Sequence, residues 1–244
     1  VEEVESMKQH CPLISCIMPT ANRRNFLAQA ITYFQAQDYP NKELVIVEDG
    51  DEFNWEIALG LNYHYIPGKY SIGWKRNLAC EMARGAIFCH WDDDDYYGPR
   101  RLSLQAAPLL NRHADVTGFR MEALLDMDAG AVWSCSEEAH QALFPLGVRC
   151  GTLMYKSAYW RAGLRYQDSS AGEDVQFLRD LLAQEARLEE IRDARSYACV
   201  RHGGNISDPL AFEAMGGKRR DLEDYLPQEH LAFYRGQREI AKVH

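Results

Sequence analysis

The sequence predicts an α/β fold: a mostly parallel sheet with helices on both faces, fused to a smaller mixed-sheet region. Three observations carry this expectation. Over the first half, short apolar runs alternate with segments of helical spacing, the pattern of parallel strands joined by crossover helices. Polar clusters follow three of those runs directly, at what would be the carboxyl ends of strands, where such sheets bind ligands. Beyond about residue 115 the rhythm changes to strands of mixed direction.

The elements follow in order. Leu13-Ile14-Ser15-Cys16-Ile17-Met18 is an apolar run stopped by Pro19, as expected of a buried strand. Phe26, Leu27, Ala30, Ile31 and Phe34 then recur at helical spacing, and the pattern ends before Tyr39-Pro40. Leu44 to Val47 reads as the second strand, broken by Glu48-Asp49-Gly50, and Tyr63 to Ile66 as the third, closed by Pro67-Gly68. Trp74, Leu78 and Met82 mark a helix that Gly85 ends. Ala86 to Trp91 is a fourth strand, running straight into Asp92-Asp93-Asp94-Asp95. Downstream, Val116 to Phe119, Ala131 to Cys135, Val148 to Tyr155 and Ser196 to Arg201 read as strands, and Val175 to Leu182 as a helix. The charged tail from Asp221 onward is expected to be helical. With no repeat, low-complexity segment or linker, the expected organisation is a tail (1–10), two lobes of one unit (11–115 and 116–212) and a helical C-terminal tail (213–244).

The chain has 244 residues and 46% hydrophobic content, enough for one substantial domain or two lobes sharing a core. A net charge of -9 argues against a general nucleic-acid binder, which would show a basic patch. Any anion site must therefore be built locally, from a few cations or a metal. The 7 cysteines are scattered and odd in number, without a CxxC pair, which suits reduced thiols better than a disulfide framework or a zinc site. No run approaches the ~20 apolar residues of a membrane span, and the first ten residues are acidic and polar, unlike a signal peptide. The expected location is cytoplasmic or the inner face of a membrane. The tripeptide Asn205-Ile206-Ser207 matches a glycosylation acceptor but carries little weight without a secretory signal.

Four consecutive aspartates after a buried apolar strand need compensation for their mutual repulsion, and a hard divalent cation with oxygen ligands provides it. The alternative is a solvated acidic turn. An EF-hand fits poorly, because its spaced ligands and final Glu are missing. Context decides between the two. The order strand, Asp92-Asp93-Asp94-Asp95, Tyr96-Tyr97, Gly98-Pro99, Arg100-Arg101, Leu102 resembles the DxD segment of family-2 glycosyltransferases with the GT-A fold. Ile17-Met18-Pro19-Thr20-Ala21-Asn22 resembles that family's first strand and nucleotide-contacting turn. Glu43 to Gly50 is similar to its second strand with a base-holding Asp, and Gly73-Trp74-Lys75-Arg76-Asn77 to its Gly-x-x-Arg-Asn helix start. Gly172-Glu173-Asp174-Val175 is similar to its Glu-Asp segment. These blocks stand in family order over roughly residues 12 to 205.

The resemblance implies an inverting transferase that moves a hexosyl or N-acetylhexosaminyl unit from a nucleoside-diphosphate sugar, UDP-linked by preference, to an acceptor hydroxyl. That acceptor would be a glycan, a lipid-linked glycan or another hydroxyl compound. Residues 11–115 would form the donor lobe and 116–212 the acceptor and catalytic lobe. Mn2+ or Mg2+ would be held by Asp94, with Asp92 nearby or bound through water, and would offset charge growing on the leaving diphosphate. Alignment on Pro99 leaves the choice among the four aspartates open by one residue, and Asp93 and Asp95 are left to face ribose, sugar hydroxyls or solvent. A late His in many GT-A enzymes completes the metal or pyrophosphate site, a role open to His202, with Gly203-Gly204 as a loop over the donor.

The remaining candidates each have a plainer alternative. Asp49 is expected to accept from a nucleobase, although an Asp before Gly also forms turns. Pro19, Thr20 and Asn22 are expected beside the donor, although Thr20 or Asn22 would equally cap the helix of Phe26. Lys75 and Arg76 lie near a helix N-terminus, suited to donor phosphate, or form an exposed cationic pair. Asp174 is expected to be the general base, supported by Glu173 on the acceptor side, unless both simply complement a helix dipole. Trp133, Arg149, Gly151-Thr152 and Trp160 are expected to shape the acceptor pocket. Two rival activities remain in view. A sugar-phosphate nucleotidyltransferase would need a Gly-rich loop after the first strand, and a non-catalytic sugar-binding relative would not need both Asp94 and Asp174.

Overall fold

The computed structural model describes residues 11–50, 61–203 and 217–241. The expected tail 1–10, the tripeptide Asn205-Ile206-Ser207 and Gly204 lie outside the described residues. The first strand, β1 (Ile14–Ala21), is followed by helix α1 (Arg24–Gln35), β2 (Lys42–Gly50), β3 (Asn62–Pro67), α2 (Ile72–Met82) and β4 (Ile87–His90). β1 pairs in parallel with both β2 and β4, and β2 with β3. This is the expected parallel core.

Its two faces can be read from alternate residues, because successive strand side chains point opposite ways. Ile14, Cys16 and Met18 of β1, with Leu44 and Ile46 of β2, pack on Leu27, Ala30, Tyr33 and Phe34 of α1. Ile17, Val45 and Val47 pack on the other side against Ala79 and Cys80 of α2. Both faces are therefore dry, which is why β1 and β2 appear in the sequence as unbroken apolar runs. Each fully buried aliphatic side chain there contributes about 1.5–3 kcal/mol relative to exposure.

Beyond β4 come the two-residue β5 (Tyr96–Tyr97), α3 (Arg101–Leu110), β6 (Val116–Phe119), β7 (Ala123–Asp126), β8 (Ala131–Ser134) and α4 (Glu137–Leu143). The chain continues through β9 (Met154–Lys156), α5 (Ala158–Arg161), α6 (Glu173–Ala183), β10 (Leu188–Ile191), β11 (Tyr197–Arg201), β12 (Arg219–Asp221) and α7 (Gln228–Ala241). Strands β6, β9 and β10 extend the first sheet, giving the order β10-β6-β9-β4-β1-β2-β3. β9 runs antiparallel to both its neighbours. A second sheet, β12-β8-β7-β11-β5, packs beside the α1 face, where Leu124, Leu125, Val132 and Val200 join the same core.

Two expectations need correction, and one strand was missed. Val148 to Tyr155 is not one strand: a 3-10 turn, Cys150–Thr152, interrupts it and only Met154–Lys156 is extended. The Thr152 hydroxyl fixes this turn, donating to the Arg149 carbonyl at 2.6 Å and accepting from the Phe119 amide at 2.8 Å. The hairpin β7–β8 went unread at its first strand, whose Ala-Leu-Leu lacks β-branched residues; Asp126 closes its turn by accepting from Ala129 N–H at 2.9 Å. The C-terminal tail is helical only from Gln228, after β12 and a short 3-10 turn at Leu222–Asp224.

Candidate functional site

The carboxyl ends of β1 and β4 open, with the start of α6, onto one cavity of about 670 Å³. Its wall carries six carboxylates (Asp92, Asp93, Asp94, Asp95, Glu173, Asp174) and four cations (Arg23, Lys75, Arg76, Arg149). The surplus of negative charge suits a cation as guest.

Two of the cations, Lys75 and Arg76, are delivered by a helix of unusual character. α2 buries Gly73, Lys75, Arg76, Ala79 and Cys80. Ser71 caps it, accepting from the Trp74 amide at 3.0 Å. Gly73 is required by close approach: a Cβ there would stand 1.8 Å from the Gln167 carbonyl oxygen. Lys75 and Arg76 are thereby sunk into the molecule at 4% and 3% exposure, so the plain alternative of an exposed cationic pair is excluded. Buried charge is costly unless paired. Lys75 Nζ meets Asp49 Oδ1 at 2.6 Å and the Thr20 carbonyl at 3.0 Å. Arg76 Nη2 meets Asp92 Oδ1 at 2.8 Å, and its Nε lies 3.4 Å from Glu173 Oε1. Arg76 thus ties the aspartate loop to the first turn of α6. Its Nη1 is buried without a hydrogen-bond partner among the described residues.

The four aspartates have four environments. Asp92 faces Arg76, and its amide donates to Tyr97 Oη at 2.9 Å. Asp93 accepts from Thr20 Oγ1 at 2.6 Å and from Arg23 at 3.0 Å. Asp94 Oδ2 lies 2.7 Å from Arg23 Nη1 and 3.1 Å from His202 Nε2. Asp95 accepts from Tyr197 Oη and the Val200 amide, both at 3.0 Å, stapling the loop to β11. It is buried in this arrangement, at 4% exposure. Burial and the Asp94 charge push the Asp93 carboxyl up to about 6 and the Asp95 carboxyl up to about 7. Burial also raises Asp92, whereas at Asp94 the His202 hydrogen bond and Arg23 outweigh burial and lower it.

Asp95 therefore carries a pH signature. An acid whose folded value is raised contributes stability below its unfolded value, near 3.9, that is lost as pH climbs to its folded value. Asp95→Asn, whose amide oxygen still accepts from Val200 N–H while its NH2 donates to a rotated Tyr197 hydroxyl, is expected to fall little short of the wild type at pH 5 and to exceed it in thermal stability above pH 7. Melting curves across that window check this, and a pH-independent loss of stability contradicts it.

Pro19, Thr20, Lys75, Arg76, Asp92, Asp93, Asp94, Glu173 and Asp174 all line the cavity. Asp49, Asn22 and His202 do not. Asp49 sits at the end of β2, 3% exposed, its second carboxylate oxygen accepting from the Tyr70 amide at 2.6 Å. Asn22 adopts φ 55, and the space a side chain at Gly50 would need is taken by its amide. Neither Thr20 nor Asn22 caps α1, whose first turn follows Arg23 without a side-chain cap. His202 packs its ring 4.5 Å from that of Phe26. Glu173 is buried against Arg76, and Asp174 is half-buried, with Oδ1 accepting from Val175 N–H at 2.7 Å. Arg149, read as an acceptor-side residue, lines the cavity with Phe144, Leu143 and Met121. Trp160 packs in the core around α2 and α6 instead. Arg23 was missed as a site residue; its signal was a basic side chain directly after the first strand's polar turn.

Among the described residues, no group of three or more His, Cys, Asp or Glu side chains forms a metal cage. A single carboxylate with an imidazole on the same oxygen, beside a guanidinium already standing in as cation, still fits a divalent ion whose other ligands come from a substrate.

Residues 15–130 match the family model for glycosyl transferase family 2. WcaA of Escherichia coli K12, a glycosyl transferase assigned to colanic acid biosynthesis, is 38% identical over 154 residues, 59% of this chain and 53% of that protein. An uncharacterized glycosyltransferase of Rickettsia felis is 31% identical over 102 residues, 39% of this chain and 17% of that protein. The chain thus spans about half or less of these relatives' length. S. aureus TarS in complex with UDP-GlcNAc superposes with TM-score 0.57 at 19% identity, over 79% of this chain and 59% of that one. The mannosyltransferase PcManGT of Pyrobaculum calidifontis, in complex with GDP-Man and Mn2+, gives 0.57 at 13% identity, over 82% and 62%. The fold is that of the GT-A glycosyltransferases. The match to glycosyl transferase family 2 ends before Glu173, Asp174 and His202.

Proposed function

We propose that the chain transfers a sugar from a nucleoside-diphosphate donor to an acceptor hydroxyl with inversion at the anomeric carbon. The observation that carries this reading is Arg76, which draws Asp92 and Glu173 together so that the aspartate loop and Asp174 face one cavity. In an inverting displacement the leaving diphosphate and the base stand on opposite sides of the reacting carbon, and this one cavity carries a candidate for each role.

Residues 11–115 form the donor side in this reading, and residues 116–212 the acceptor side. Asp94, with His202 and Asp92 near it, holds Mn2+ or Mg2+; when bound, the ion supplies positive charge against the diphosphate. Arg76, with a buried Nη1 unpartnered among the described residues, adds charge of the same sign. Asp49 is proposed for the base pocket through its grip on Lys75 and the Tyr70 amide, with Pro19, Thr20 and Asn22 shaping the adjoining turn. Asp93 fixes Thr20 rather than meeting the sugar. Asp174 takes the proton from the attacking hydroxyl, and Glu173 holds Arg76 behind it. A UDP-linked hexose or N-acetylhexosamine is favoured as donor. TarS in complex with UDP-GlcNAc supports uridine, and PcManGT with GDP-Man and Mn2+ keeps guanosine in the test. The acceptor is a glycan, a lipid-linked glycan or another hydroxyl compound. Among the described residues no helix is long and apolar enough to cross a membrane, and the proposed location is cytoplasmic or at the membrane's inner face.

A thermal-shift series with UDP, GDP and their sugars, with and without Mn2+, tests this reading. A ligand at 100 times its Kd stabilises by about 2.7 kcal/mol, a readable shift. Stabilisation by one nucleoside diphosphate that depends on Mn2+ is expected. No shift with any nucleotide contradicts the reading.

A further inference from the structure

Arg23 stands where a cation is wanted. Its Nη1 lies 2.7 Å from Asp94 Oδ2 and 3.0 Å from Asp93 Oδ1, and that same Asp94 oxygen is the one His202 approaches. The charge of Arg23 is held firmly by this pair: against the penalty of burial, the two aspartates raise its affinity for its proton. A divalent ion on Asp94 and a guanidinium on the same oxygen repel each other at contact distance, so the two occupants exclude one another.

We infer that Arg23 is an internal counter-cation that occupies the metal position of Asp94 until a nucleoside diphosphate arrives, making metal and donor binding mutually dependent. The inference rests on the reading of Asp94 as the metal ligand. Arg23 is well placed to leave. Its side chain is 24% exposed and belongs to the turn between β1 and α1, on the cavity wall. Asp93 keeps the Thr20 hydroxyl at 2.6 Å when the guanidinium departs. A planar guanidinium pairs with phosphate oxygens as readily as with carboxylates, so a diphosphate in the cavity offers Arg23 a new partner while freeing Asp94 for the ion. Metal alone must displace Arg23 without that compensation and binds weakly. Arg23 is a positioning residue for the donor, with a signature in metal affinity that a purely structural side chain lacks.

The experiment is a calorimetric titration of the folded protein with Mn2+ alone, then with Mn2+ in the presence of UDP or GDP, for wild type, Arg23→Gln and Arg23→Lys. Circular dichroism verifies folding. Arg23→Gln is expected to tighten binding of Mn2+ alone by about tenfold, the worth of one charge-assisted contact, and to weaken the nucleotide in the presence of Mn2+ by a similar factor. Arg23→Lys, which keeps the charge but not the fork that reaches both aspartates, moves the same way by about threefold and decides the matter if the Gln variant does not fold. Mn2+ affinity that is unchanged or weaker in the variants overturns the inference and leaves the metal site standing. Absence of Mn2+ binding in every protein, with nucleotide or without, overturns both.

Discussion

Asp174→Asn is expected to bind donor and metal normally while transfer falls by about 100- to 10,000-fold, the usual consequence of removing a general base. The structure makes this substitution clean. Oδ1 of Asp174 accepts from the neighbouring Val175 amide, a bond that an asparagine oxygen retains, so the first turn of α6 keeps its form. Asp174 is half-buried at the cavity edge, free of the Arg76 pairing that ties down Glu173. Rates measured at saturating donor, with binding read separately by calorimetry, check the expectation. Near-normal transfer would return Asp174 to the role of a helix-start acid complementing the dipole.

The second large effect belongs to Asp94. Asp94→Ala is expected to abolish the Mn2+-dependent part of nucleotide stabilisation, a loss of about 2.7 kcal/mol at a ligand concentration 100 times Kd. The metal-free protein should remain folded with little net change in stability, because the Arg23 and His202 contacts to Asp94 are lost while repulsion on its neighbours is relieved. Asp94 raises the proton affinity of both Asp93 and Asp95 by charge repulsion, and removing it relieves both. Arg23 keeps its contact with Asp93 in the variant. Melting curves with UDP, with and without Mn2+, separate the two outcomes. Metal-dependent stabilisation that survives would move the ion to Asp92.

Much of the parallel core and of the cavity rim was legible in the sequence. β1, β2 and β4 are buried on both faces, so each reads as an unbroken apolar run, and the polar cluster that follows β1 and β4 marks the cavity rim. The part that stayed illegible depends on partners far away in the chain. Which of four aspartates is exposed to a guest is decided by Arg76, Arg23, Tyr197 and His202, and His202 lies 108 positions from Asp94. No local pattern distinguishes Asp95, bonded to β11, from Asp94, bonded to His202. For Lys75 the sequence left open a phosphate contact or an exposed cation; its burial follows from Asp49, 26 positions earlier. The segment from Val148 to Tyr155 has strand-like composition, and only a hydroxyl bridge between Thr152 and β6 turns it into a 3-10 bend. Short strands such as β7 carry too few residues for a period to register.

The central claim is inverting sugar transfer from a nucleotide donor, and one measurement reaches it most directly. Proton NMR of wild-type protein with Mn2+ and an α-linked donor, UDP-GlcNAc and GDP-mannose in turn, follows the anomeric signals over time. Water serves as a slow surrogate acceptor where no natural one is supplied. The account predicts release of the nucleoside diphosphate with the β-anomer appearing first, because one displacement opposite the leaving group inverts the centre. Release with the α-anomer first, or donors that stay intact beside folded protein, would contradict it.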